Sequence, residues 1–126
     1  MMTDISTYTA IKTTGNLRFV GKFKRSTPRT RWNIEPKIRG IYIISADGIP
    51  FYVGESLVCM RNRFISHKYS IRNPEYRGEI TGRIVKEKGL QDSVFSIECL
   101  YGDDLGIYSR KDNLVVEYLL QLGYLK

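Results

Sequence analysis

Five side chains in this 126-residue chain have the types and spacing for phosphate chemistry. Tyr42 and Tyr52 sit on two short apolar runs, GIYIIS and PFYVG, with a turn between them. Arg63 and His67 follow, four residues apart and therefore on one face of any helix that carries them. Glu117 interrupts the apolar run LVVEYLL, where a carboxylate is costly to bury alone and a partner or metal ion is expected. Hydrolysing a phosphodiester at neutral pH needs a group to orient or deprotonate water, a cation to absorb charge on the phosphoryl oxygens, and stabilisation of the leaving alkoxide. Arg, His, Tyr and a metal-binding carboxylate are residue types that fill those roles. Each residue also has a plainer reading. Tyrosine is a good strand former, Arg63 could be a solvated helix residue, His67 a capping or core histidine, and Glu117 an ion-pair partner.

The elements that must position these residues are legible from pattern. LRFVGKFKR, 17–25, alternates in part and predicts a half-buried strand with a basic outer face. STPRTRWNIEP, 26–36, has two prolines and no period, and predicts an ordered loop that Trp32 ties to the core. RGIYIIS, 39–45, and PFYVG, 50–54, predict a hairpin turned by ADG, with Pro50 tolerated at a strand start. Apolar residues at 57, 60, 64 and 65 predict a helix over 57–69 with Ser56 as its N-cap, stopped by Pro74. A weaker helix is predicted over 75–89, ending at Gly89, then a strand over 93–102. A loop and a last helix over 113–123, capped by Asp112 or Asn113, complete the chain. The expected fold is α+β: a small three-stranded, largely antiparallel sheet flanked by helices, over 39–126, behind a basic N-terminal extension over 1–38.

Charge points to the partner. The net charge is +7, and residues 1–39 hold nine Lys and Arg against Asp4 and Glu35, while the remainder carries eleven of each sign. A positive field concentrated in one segment attracts a polyanion, with nucleic acid the default candidate, through Lys22, Lys24, Arg25, Arg29, Arg31 and Arg39. The plainer alternative is a solvated basic tail. No apolar run approaches a membrane span and the N-terminus lacks a signal-peptide core, which predicts a cytoplasmic protein without a membrane partner. Cys59 and Cys99 lack Cys-x-x-Cys spacing and histidine company, and read as free thiols.

Gly40-Ile41-Tyr42 and Tyr52-Val53-Gly54 resemble the two halves of the GIY-YIG nuclease signature, with Val for Ile in the second. The resemblance runs from Arg39 to about Leu122. It carries Arg63 as the family's helix arginine, His67 as the histidine one turn later in several branches, and Glu117 as the metal-ligand glutamate. It implies a DNA endonuclease using one divalent cation, Mg²⁺ or another such as Mn²⁺, held through Glu117 and the phosphate. Arg63 would then meet charge on the scissile phosphate, Tyr42 or His67 would activate water, and Tyr52 would orient it. The small size resembles phage or mobile-element endonucleases and compact restriction enzymes, which for a phage protein means the host cytoplasm. The basic extension would supply target binding, unless the module forms a homodimer or relies on an accessory specificity protein.

Three features depart from the family pattern. Glu55 follows the second triplet, where it would either repel phosphate, help hold metal or stand by. No asparagine follows Glu117, and Arg61 competes with Arg63 for the arginine role. A second GIY, Gly106–Tyr108, has no partner triplet and reads as loop. The alternative reading is a DNA-binding protein of the same fold that does not cut.

Overall fold

The computed structural model describes residues 8, 11, 17–106 and 114–121, the side chains of 117, 120 and 121 excepted. Four strands, β1 (Arg18–Phe23), β2 (Gly40–Ala46), β3 (Ile49–Ser56) and β4 (Phe95–Tyr101), form one antiparallel sheet in the order β1-β4-β2-β3. Among the described residues it is accompanied by the α-helices α1 (Met60–Arg72), α2 (Thr81–Glu87) and α3 (Leu114–Gln121), and Tyr8 and Ile11 are also helical. No helix among the described residues is long and apolar enough to cross a membrane.

The α+β class matches the sequence reading, but the sheet has four strands and not three. The fourth is β1, which pairs with the free edge of β4 from Arg18↔Cys99 to Phe23↔Phe95. Val20 and Phe23 are buried in the core, Phe23 stacks on Phe95 at 5.5 Å, and Trp32 meets both Phe23 and Phe64 at just under 6 Å between ring centroids. Residues 18–23 thus belong to the sheet, and Trp32, Ile34 and Ile38 of the loop that follows pack against its core. The pairing joins segments some eighty residues apart, which local pattern does not reveal.

β2 is the centre of the molecule and is buried along its whole length. Its alternation sends Tyr42, Ile44 and Ala46 to a core shared with Met60, Phe64, Ile71 and Val85, and sends Ile41 and Ile43 to a second core under Leu114, Val115, Tyr118 and Leu119. So α1 and α2 cover one face of the sheet and α3 the other. Asp47 and Gly48 both take positive φ (49° and 82°), the conformation a two-residue hairpin turn demands, and Ala46 pairs with Ile49 across it. A bulge at Phe51, with Ile44 opposite Tyr52 and Ser45 opposite Pro50, turns both Phe51 and Tyr52 toward the α1 side.

The helices differ from expectation at their ends. Ser56 is not the N-cap of α1. Its Oγ accepts from Cys59 N at 3.1 Å in a turn before the helix, and α1 begins at Met60, whose N–H is taken by Ile38 O at 2.8 Å. The helix ends at Asn73, which bonds back to Tyr69 O, just before Pro74. The second helix is much shorter than 75–89. It stops as expected at Gly89 (φ 67°), with Leu90 N bonded to Val85 O and Gly89 N to Lys86 O.

Candidate active site

Tyr42 lies directly opposite Gly54 on the neighbouring strand. The tyrosine ring runs under that glycine so closely that a Cβ there would sit 2.4 Å from Cζ. The glycine of the second triplet is therefore a space requirement: it lets the Tyr42 ring lie flat against β3. Tyr52, two residues before Gly54, is the diagonal neighbour of Tyr42 on the same face, with ring centroids 6.4 Å apart.

Helix α1 crosses this face and brings Arg63 and His67 to the tyrosines. Tyr42 Oη and His67 Nε2 are 2.6 Å apart, and Arg63 Nε donates to the same hydroxyl at 3.4 Å. With Arg63 filling the acceptor side of that oxygen, the phenol proton points at His67 Nε2, which accepts. The other nitrogen, Nδ1, is 3.0 Å from Thr81 Oγ1 and 3.3 Å from Glu79 Oε2. An ionised carboxylate only accepts, so this geometry calls for the tautomer with the proton on Nδ1. The Tyr52 ring closes the other side of the imidazole at 4.9 Å.

Glu79 completes the cluster, and pattern did not single it out. Its carboxylate is 5% exposed and meets the Arg63 guanidinium fork to fork, Nη1–Oε1 at 2.8 Å and Nη2–Oε2 at 3.4 Å. The turn that delivers it is fixed from α1: Ser70 Oγ donates to Glu79 O at 3.0 Å and accepts from Gly82 N at 2.9 Å. The one available signal was chemical, since a partly buried arginine and a histidine on one helix face require a carboxylate. Nothing in the sequence distinguishes Glu79 from the other acidic residues as that partner.

Burial sets the protonation states. His67 is fully enclosed, and burial together with the Arg63 charge pushes its pKa down to about 3. The Nδ1–Glu79 contact is therefore a hydrogen bond from a neutral imidazole and not an ion pair. Burial pushes the Tyr42 phenol well above its ordinary value, against the pull of Arg63. Tyr52 rises for the same reason, aided by the Glu79 charge. Burial also raises Glu79, opposed by Arg63. At neutral pH one cation and one anion thus surround a neutral imidazole and two neutral phenols. Arg63, with 41% of its side chain exposed, forms the solvent edge of this group. Glu79 also lines a cavity of about 350 Å³ beside Arg77 and Arg83.

The structure brings Tyr42, Tyr52, Arg63 and His67 together and leaves Arg61 out, exposed on another face of α1. Glu117 is carried by α3, which packs on the opposite face of the sheet, and its side chain lies outside the described residues. Among the described residues no group of three or more His, Cys, Asp or Glu is arranged to hold a metal ion. Glu55 has a structural partner: its Oε2 accepts from Leu114 N at 2.5 Å, at the start of α3, where a carboxylate meets unpaired N–H groups and the positive end of the helix dipole. Of the cations expected to bind DNA, Lys22, Lys24, Arg29 and Arg31 are exposed. Arg25 is half-buried and its Nε has no hydrogen-bond partner, while Arg39 Nε reaches Asp103 Oδ1 at 3.3 Å. Gly106 (φ 68°) closes the 3-10 turn Asp103–Leu105, and Ile107 and Tyr108 of the second GIY lie outside the described residues. Cys59 and Cys99 are free thiols.

No family model, curated protein or solved structure matches this chain.

Proposed function

We propose that this protein is a metal-dependent DNA endonuclease of the GIY-YIG type, with the Tyr42 hydroxyl as the group that activates water. The observation that carries this reading is the placement of that one oxygen between His67 Nε2 and Arg63 Nε, with a carboxylate behind the histidine. Of the two candidates for the base, the geometry favours Tyr42. His67 has both nitrogens engaged inside the protein, whereas Tyr42 Oη touches Arg63, the residue at the solvent edge.

The chain's own residues support a balanced proton path. As water attacks phosphorus it gives its proton to Tyr42 Oη, and Tyr42 gives its own to His67 Nε2. The imidazolium that forms holds its Nδ1 proton toward Glu79, whose charge offsets part of the cost that burial and Arg63 place on it. A phenol with a raised pKa does not ionise ahead of the reaction, so transfer through His67 replaces a standing phenolate. Arg63 turns the same planar fork to the scissile phosphate that it now presents to Glu79, since carboxylate and phosphate geometries match it equally. In this reading Glu117 would hold a divalent cation that supplies charge stabilisation of the leaving oxygen, an expectation that rests on the resemblance alone, since α3 packs on the sheet face opposite the hydroxyl cluster.

Incubating the protein with supercoiled plasmid, with and without Mg²⁺ or Mn²⁺, tests this directly. Nicked or linear product in the presence of metal supports it. A second reading, a DNA-binding protein that does not cut, is favoured by the complete burial of Tyr42 and His67 and by the pairing of Arg63 with Glu79. Plasmid retardation without nicking under either metal would select it.

A further inference from the structure

The flank of α1 away from Arg63 carries a second concentration of positive charge. Arg61, Lys68 and Arg72 recur at i, i+7 and i+11, one face of the helix, and Arg29 faces them from the loop between β1 and β2. Together with the edge of Trp32 and the exposed ring of Tyr69 they line a groove of about 420 Å³ that contains no carboxylate. None of the four cations forms an ion pair among the described residues.

Lys68 is the decisive member. The residue is only 8% exposed, its ammonium bonds to the neutral Thr30 hydroxyl at 2.6 Å, and the Phe23 ring lies 5.6 Å away. An ammonium on a buried stem, partly desolvated and with no counter-ion, is costly to hold, and Arg72 one turn on adds repulsion, so partial burial and that neighbour push its pKa below the ordinary value. Such an arrangement is poorly stabilised by the fold itself and is relieved by an anion. Eleven residues of helix from Arg61 to Arg72 span about 16 Å. That length exceeds any single phosphate group and suits several successive phosphates of one strand. Tyr69, edge-on to Tyr76 at 4.9 Å, offers a braced aromatic surface at the rim for stacking.

We propose that this groove is a binding site for the phosphodiester backbone of DNA, separate from the hydroxyl cluster and on the other side of α1. It rests on the nucleic-acid part of the function proposed above and not on cleavage. Arg61 and Arg72 are exposed, so their removal leaves the fold intact. Lys68 has a further signature, because Lys68→Met keeps the aliphatic stem while deleting the uncompensated charge.

The test is fluorescence anisotropy of labelled duplex DNA and of the same single strand, in chelator, across a salt series. Proteins compared are the full chain, Arg61→Gln/Arg72→Gln, Lys68→Met, and the control Lys86→Gln/Lys88→Gln, two exposed residues outside the groove. The double variant is expected to bind on the order of tenfold more weakly at low salt, with its log K against log[salt] slope on duplex smaller by about 1.8. Lys68→Met should weaken binding while keeping or raising thermal stability, whereas a lysine with a purely structural role would lose stability. A steeper loss on duplex or on single strand identifies which form the groove holds. Affinity and slope unchanged in both groove variants, or no DNA binding by the full chain, would overturn the proposal. Plasmid nicking separates this from the proposed activity: binding through the groove without nicking sinks only the nuclease reading, and nicking unaffected by an idle groove sinks only this one.

Discussion

Arg63 and Glu79 meet fork to fork, Nη1–Oε1 2.8 Å and Nη2–Oε2 3.4 Å, at the solvent edge of the Tyr42–His67 hydrogen bond. The pair satisfies a buried carboxylate and holds the arginine where a phosphate would approach. It also puts the same carboxylate behind the imidazole. One side chain therefore has two jobs in the proposed reaction: occupying Arg63 before substrate arrives, and balancing charge on His67 afterwards.

Glu79→Gln separates those jobs. The amide keeps the shape but releases Arg63 from its counter-charge, so DNA affinity should rise a few-fold. The imidazolium loses its partner, so single-turnover cleavage should slow by at least about tenfold. Stability should fall by about 1–2 kcal/mol, the scale of a hydrogen bond to a charged group. Affinity and cleavage rate both at wild-type values would show that Glu79 is only a structural ion-pair partner.

His67 should make the fold acid-sensitive. Its folded pKa, about 3, lies below the ordinary 6.5, so between those values the unfolded chain binds a proton that the folded one does not. Stability is full above about pH 6.5 and falls as pH drops toward 3, by up to about 1.4 kcal/mol per unit. Glu79, raised by burial against the pull of Arg63, acts in the opposite direction. Denaturant midpoints between pH 7 and 4.5 should therefore fall for the wild type and remain nearly level for His67→Gln. Parallel profiles would mean that the imidazole is not held neutral.

Gly54→Ala tests the packing that sets Tyr42 against β3. The added methyl would overlap the Tyr42 ring, with backbone on one side and α1 on the other leaving no room to yield. A loss of about 1–3 kcal/mol is expected, the usual cost of overpacking a dense core. Pairing it with Tyr42→Ala should recover much of that loss by emptying the contested space, and additive penalties would argue against the contact.

The N-terminal segment should behave as part of the fold. Trp32→Ala removes contacts to Phe23 and Phe64, so a loss of up to about 3 kcal/mol is expected in thermal or denaturant unfolding. A wild-type melting temperature in that variant would mean that residues 26–38 are attached only loosely.

Much of the cluster was legible because its geometry is local. The i, i+4 spacing of Arg63 and His67 and the alternation of β2 need no long-range knowledge. The β1–β4 pairing and the arrival of Glu79 beneath α1 are tertiary, and the bulge that puts Phe51 on the same face as Tyr52 is invisible in a run of apolar residues. Charge sorting on a helix is hidden for a similar reason. Summed along the chain, residues 40–126 are neutral, yet α1 places Arg61, Lys68 and Arg72 on one flank and turns Arg63 toward Glu79 on the other. A helix sorts charges by direction, and counting along the sequence erases that.

The most direct test of the central claim is single-turnover cleavage of duplex DNA by the wild type and by Tyr42→Phe, with Mg²⁺. The substitution keeps the ring that fills the core and removes only the oxygen held between His67 and Arg63. The expected result is cleavage by the wild type and a loss of about 10²–10⁴-fold in the variant, with DNA affinity changed no more than a few-fold. Cleavage by Tyr42→Phe at the wild-type rate, or none by the folded wild type with Mg²⁺ or Mn²⁺, would contradict it.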